Sequence, residues 1–101
     1  MRFEWDENKN RANRAKHGID FSFASLAFED PFAVTLHDRD VGGEQRYQLI
    51  GAVFMRIILV AHAIRIEPQA ASVEEELIIR IISARKATPA ERKLYEENAA
   101  H

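Results

Sequence analysis

The chain contains no cysteine, so neither a disulfide framework nor a thiolate metal site is open to it. That fits a reducing cytoplasm, the compartment we expect. A membrane span is also missing. The longest apolar run, Ile57 to Ile64, is interrupted by His62, whereas a spanning helix needs about 20 apolar residues. Met1-Arg2-Phe3-Glu4-Trp5-Asp6 carries no apolar signal segment, so no membrane association is expected. No histidine pair has metal-ligand spacing and no glycine-rich phosphate loop is present. We therefore expect no metal and no cofactor. Internal repeats and low-complexity segments are absent as well. Finally, strong net charge is lacking: 14 basic against 16 acidic side chains leave a formal charge of -2. This argues against a domain that coats nucleic acid by bulk charge.

What is present is enough apolar material for one core. A length of 101 residues, 47% of them hydrophobic, predicts a single domain over 1–101. The charges are unevenly placed. Residues 29–76 hold nine acidic and four basic side chains, and residues 77–101 hold five basic and three acidic ones. A compact cationic site on an otherwise acidic surface suits local phosphate chemistry. The richest stretch is Arg80-Ile81-Ile82-Ser83-Ala84-Arg85-Lys86-Ala87-Thr88, followed by Glu91, Arg92 and Tyr95. It places one arginine inside an aliphatic strand and a group of cations at its end. An unpaired buried cation is costly, so Arg80 needs an acidic partner or an anionic ligand.

The element pattern is legible in outline. Asp6 predicts an N-cap for a helix from about Glu7 to His17, stopped by Gly18, with Ala12 and Ala15 as its thin apolar side. A second helix is predicted over Ser22–Phe28 and ended by Asp30-Pro31. Strands are predicted over Ala33–His37, Arg46–Phe54, Arg56–Ile64 and Leu77–Ala84, with a turn over Asp38–Gly43 and a tight turn at Met55. The last strand, aliphatic on both faces, reads as central. Glu67–Glu76 reads as a mobile acidic loop. Thr88, Pro89 and Glu91 form a capping-box signature for a C-terminal helix, with Leu94 and Tyr95 on its packing side. Short connections between sequential strands imply an antiparallel four-stranded sheet. With two N-terminal helices and one C-terminal helix on one face, this is an α+β sandwich of two layers.

Four blocks in register resemble the BrnT family of type II toxins: Phe3-Glu4-Trp5-Asp6-Glu7 with Asn8 and Lys9; Lys16-His17-Gly18-Ile19 with Phe21, Ala24 and Phe28-Glu29-Asp30-Pro31; Gly43-Glu44-Gln45-Arg46 with Ile50-Gly51; and Arg80 to Ala87 with Glu91-Arg92 and Tyr95-Glu96. The resemblance implies a RelE-like fold and metal-independent RNA cleavage. It also implies inhibition by a BrnA antitoxin, whose ribbon-helix-helix domain binds operator DNA. The toxin then reaches DNA only through that partner, and the two together repress their own promoter. One departure stands out: Ile66 to Glu76 is longer and more acidic than the resemblance leads one to expect.

Metal-independent RNA cleavage is attack of a ribose 2′-hydroxyl on the adjacent phosphorus. It needs a base, an acid and cations around the pentacoordinate phosphorus. Proton transfer contributes about 10²–10⁴-fold, and one well-placed donor about 3–4 kcal/mol. Arginine suits the second task because its planar fork grips two phosphate oxygens and stays charged. His17, at a helix C-terminus that favours its charged form, is a base or acid candidate; alternatively it only offsets the helix dipole. Glu44 and Arg46 share a strand face by alternation. They form either a carboxylate base with a phosphate-holding cation or a surface salt bridge of little worth. Arg80 is expected to bridge a carboxylate such as Glu44 at rest and to meet phosphate in the complex. Arg85 and Lys86 stand beside the free N–H groups of a capped helix, although Lys86 also reads as an ordinary exposed charge. The catalytic set is thus His17, Glu44, Arg46, Arg80 and Arg85, with Lys16, Arg65, Lys86 and Tyr95 binding RNA. Tyr95 and Trp5 are suited either to stacking on a base or to the core. His62 reads as a core histidine, and His37 and His101 as incidental. The competing function is a non-catalytic partner and corepressor of a DNA-binding antitoxin; a silent family member is a third.

Overall fold

The computed structural model describes residues 1–71 and 73–100; His101 lies outside them. Strand β1 (Arg2–Glu4) leads into helix α1 (Glu7–His17) and helix α2 (Phe21–Ser25), which continues as a 3-10 turn over Leu26–Glu29. Four longer strands follow: β2 (Val34–Val41), β3 (Glu44–Val53), β4 (Arg56–Pro68) and β5 (Glu75–Lys86). Helix α3 (Pro89–Ala99) comes last. The class is α+β, as expected, but the sheet is five-stranded and mixed, in the order β1-β5-β4-β3-β2. The expected four-stranded antiparallel sheet is corrected by β1, which pairs parallel to β5 through Phe3↔Ile79 and Glu4↔Arg80. Three residues are too few to show alternation. Their pairing makes β5 an interior strand, as its aliphatic run requires.

The two-layer expectation is corrected too, because helices cover both faces. Leu49, Val53, Ile58, Val60, Ile81 and Ala84 pack against Ile19, Phe21, Ala24 and Ala27 of the α1–α2 region. The alternating residues Ile50 and Leu59, paired across β3 and β4, instead pack with Ala87 and Tyr95 on the α3 side. The sheet's period of two therefore serves two clusters on opposite faces. On the α3 side the helix covers only part of the sheet, and the rest stays open.

Helix α1 begins at Asp6, whose side chain accepts from the Asn8 and Lys9 N–H groups, and ends at Gly18 with φ 70°. Its buried residues are Asn10 and Asn13, while Ala12 and Ala15 are exposed, which corrects the expected apolar side. The physical reason is the free edge of β5 beyond β1. The Asn13 carboxamide donates to the Ala84 carbonyl at 2.9 Å and accepts from the Ala84 N–H at 3.0 Å, completing the strand's hydrogen bonding. Asn10 accepts from the Phe21 N–H at 2.9 Å. Asp20 caps α2. Hydrogen bonds from the Ser22 hydroxyl and N–H, joined by Arg14 and Asn10, hold its carboxyl down to about 2.

The hairpins are longer than expected. The β2–β3 turn is only Gly42-Gly43, both with positive φ (58° and 80°), so the strand continues through residues expected in the turn. Likewise the loop expected over Glu67–Glu76 is shortened at both ends: Ile66↔Leu77, Glu67↔Glu76 and Pro68↔Glu75 continue the β4–β5 ladder, and only 69–74 lie between the strands. Two of its carboxylates, Glu67 and Glu76, both pair with Arg2. The tight turn near Met55 is present, with Phe54 at φ 56°. At α3 the capping box of Thr88 and Glu91 is formed with Pro89 at the helix start. Leu94 is exposed, however, and Tyr95 carries the packing.

Candidate functional site

On the open part of the α3-side face, one row of paired residues crosses the whole sheet. It runs Arg39 (β2), Arg46 (β3), Ala63 (β4), Arg80 (β5) and Glu4 (β1). Residues paired across antiparallel strands point to the same side, so the arginines stand on one face. Ala63 in the middle is small and 3% exposed, which leaves a shallow floor between Arg46 and Arg80. Glu44, two residues from Arg46 on the same face, reaches into this space. Its Oε1 accepts from Arg80 Nη2 and, at 3.3 Å, from Arg46 Nε. One carboxylate oxygen is therefore shared by two guanidiniums, and the trio carries a net positive charge. Arg80 keeps 38% of its side chain accessible and Arg46 29%, so the trio remains open to an incoming anion.

Arg65 flanks the row on β4. Its guanidinium is gripped by Glu4 and Glu67. The Glu4 carboxyl is held below the usual range, chiefly by its hydrogen bond from Arg65. A hollow of about 490 Å³, lined by Glu44, Arg65 and the Gly42-Gly43 turn, adjoins the row.

Arg85 is not part of this trio. It lies on the same face but about 17 Å along β5 at ~3.3 Å per residue. Both Nη atoms of Arg85 pair with Glu91, at 2.8 and 2.9 Å. That bidentate contact raises the pKa of Arg85 and lowers that of Glu91. The guanidiniums thus gather at mid-sheet rather than where the last strand meets the terminal helix. A bulge explains why both arginines face the same way. Ser83 pairs with Ala61 and Ile81 with His62, leaving Ile82 without a partner.

His17 and Lys16 lie elsewhere. They line a small cleft of about 240 Å³ with Asn13, Ile82 and Ser83 at the free edge of β5. No hydrogen bond or ion pair among the described residues joins them to Glu44, Arg46 or Arg80. Tyr95 is built into the packing. Its hydroxyl donates to Asp30 at 2.6 Å and its ring joins the Ile50–Leu59 cluster. Burial, reinforced by Asp30, pushes its pKa up to about 12. Trp5 packs edge-on against Phe21. His62 is buried between Phe28 and Tyr47, with Nδ1 3.0 Å from the Val60 carbonyl oxygen. Burial lowers its pKa and keeps it neutral. His37 pairs with Asp40 on the surface. Lys86 ends β5 opposite Ile58, at a cleft near α3.

The residues of the row that sequence inspection missed are Glu4, Arg39 and Ala63. Ala63 carried a faint signal as a small residue inside an aliphatic run. Glu4 and Arg39 carried none until their strands were paired.

The fold and this face together define a small α+β domain with a cationic, carboxylate-buffered surface open on one side. The comparison with known families makes this specific. Residues 5–91 match the family model described as the ribonuclease toxin, BrnT, of a type II toxin–antitoxin system. The chain belongs to that family, and membership implies an antitoxin as partner. No curated protein matches the chain. No helix among the described residues is long and apolar enough to cross a membrane.

Proposed function

We propose that this chain is a cytoplasmic, metal-independent endoribonuclease whose reacting phosphate sits over Ala63 between Arg46 and Arg80. The observation that carries the reading is the Glu44 oxygen held by two guanidiniums, each about one-third exposed. An RNA phosphate offers the arginines a matching pair of oxygens and displaces the carboxylate. The freed Glu44 then stands beside the ribose and takes the 2′-hydroxyl proton. The 2′-oxygen bonds to phosphorus and the bond to the 5′-oxygen breaks. The departing oxygen, facing solvent on the open sheet, takes its proton from water. The products are a 2′,3′-cyclic phosphate and a 5′-hydroxyl. Arg46 and Arg80 supply the positive charge that the phosphorane needs. Arg65 and Arg85 hold neighbouring phosphates, and Lys16 and His17 meet the strand farther along. Tyr95 falls outside this site because it anchors α3.

The partner in this reading is a BrnA-like ribbon-helix-helix antitoxin. It covers the arginine row and alone contacts operator DNA. The test is incubation of purified protein with single-stranded RNA in excess chelator, followed by end-group analysis. Fragments with cyclic phosphate ends are expected. Intact RNA after prolonged incubation of folded protein overturns the reading. One observation favours the alternative of a non-catalytic corepressor: Arg46, Arg65, Arg80 and Arg85 are each engaged by a carboxylate of the chain itself. Expression without the antitoxin separates the two, since an active nuclease arrests growth and a pure corepressor does not.

A further inference from the structure

Arg46, Arg65, Arg80 and Arg85 are each paired; the cations at one end of the sheet are not. At the end of the sheet where β4 begins, β5 ends and α3 passes, a cleft of about 530 Å³ is lined by Arg56, Ile57, Ile58, Lys86, Arg92 and Glu96, together with Met55. Among the described residues, Arg56, Lys86 and Arg92 form no ion pair. Arg56 instead lays its guanidinium over the Phe23 ring, 5.1 Å from the centroid, a contact that leaves its N–H edge available. Three cations around one concavity with a single carboxylate, Glu96, leave an uncompensated positive charge. Like charges held close repel, so this arrangement gains most from an anion between them. Ile57 and Ile58 supply an apolar wall beside it.

We infer that this cleft is an anchoring site for the phosphates of the RNA strand, several nucleotides away from the scissile one. The placement supports RNA over an isolated small anion. Lys86 follows Arg85 directly, and the cleft lies about 20 Å along β5 from Arg80 at ~3.3 Å per residue. Lys86 pairs with Ile58 and so faces the α1–α2 side, opposite Arg85; a strand whose reacting phosphate lies at Arg46 and Arg80 runs past Arg85 and rounds the end of the sheet to reach the cleft. The inference rests on RNA being the substrate. It adds that short RNAs, which end before Lys86, bind more weakly than long ones.

The test uses 2′-O-methyl oligoribonucleotides of two lengths, which bind but cannot be cut. Affinity is read by fluorescence anisotropy across a salt series. Each phosphate contact contributes a slope of about 0.7 in log K against log salt for single strands. The double variant Lys86→Ala/Arg92→Ala is expected to lower the slope by about 1.4, for two such contacts, with the long probe. The short probe should lose nothing. Lys93→Ala, on an exposed part of the same helix, should change neither. An unchanged slope with the long probe, in a variant whose melting temperature matches wild type, overturns the inference even if wild type cleaves RNA. A reduced slope in a protein that cleaves no RNA upholds the anchoring site while the nuclease reading falls. Retained RNA binding with lost affinity for the antitoxin assigns the cleft to an acidic protein segment and also overturns the inference.

Discussion

Arg80 and Ile81 are neighbours in the chain and belong to different worlds. Ile81 is 1% exposed beneath α1 and α2, in a cluster with Phe21, Val60 and Ala84. Arg80, one residue earlier, points to the opposite face and shares the Glu44 carboxylate with Arg46. The same contrast runs along β4, where buried, neutral His62 precedes Ala63, the floor of the arginine row. The α1–α2 face is packed along these strands, whereas the α3-side face, beyond the patch around Ile50 and Leu59 that α3 covers, is free to carry charge. Alternation along a strand thus lets chemistry be written between core residues without disturbing them.

The sharpest way to break this division is to mutate both neighbours. Ile81→Ala should cost about 2–5 kcal/mol of stability through lost burial and the cavity left behind. Specific activity per folded molecule should be preserved. Arg80→Ala should do the reverse, lowering cleavage by about 10²–10³-fold as expected for loss of one preorganised donor, with stability changed by less than about 1 kcal/mol. Thermal unfolding and cleavage rates, measured on both variants, check the pair. Equal losses of stability in the two would dissolve the distinction between the faces.

A smaller effect is expected at the margin between the two regions. Asn13→Ala removes both side-chain hydrogen bonds to Ala84 and leaves buried backbone groups unpaired, which should cost about 1–3 kcal/mol. Denaturant titration reads it. A neutral result would mean that water or a shifted helix completes the strand edge.

How much of this was legible from the sequence follows from the same physics. The capping box at Thr88, the Asp6 cap and the Gly18 stop are local chemistry, and each is where the residues predict it. The shared face of Glu44 and Arg46 follows from counting by two. The buried asparagines of α1 were not legible, because polar residues read as exposed until a bare strand edge needs them. β1 was too short to show a pattern. The bulge at Ile82 was also invisible. Without it Arg80 and Arg85 would face opposite ways, and their closeness in sequence suggested a cluster that the length of the strand does not allow. What remained illegible in the site was cross-strand register, which brings Glu4, Ala63 and Arg80 into one row.

The α3 docking offers a pH handle of modest size. Tyr95 has its pKa raised to about 12 by burial and by Asp30, from an ordinary value of 10.0. A raised folded-state value means that its contribution is complete below pH ~10 and is lost as pH climbs towards ~12. The wild type should therefore lose stability across that alkaline window more steeply than Tyr95→Phe. Asp20 works in the opposite direction. Its carboxyl is depressed to about 2, so its contribution is complete above pH ~4 and is lost as pH falls towards ~2. Asp20→Asn should flatten the acid limb. Chemical denaturation at a series of pH values measures both, and parallel curves for variant and wild type would contradict the assignments.

The most direct measurement is a structure of the protein bound to a 2′-O-methyl single-stranded RNA. A phosphate should lie over Ala63, gripped by Arg46 and Arg80, with the Glu44 carboxylate swung off both guanidiniums towards the ribose. RNA bound elsewhere, with Glu44 still locked between the two arginines, would contradict the account.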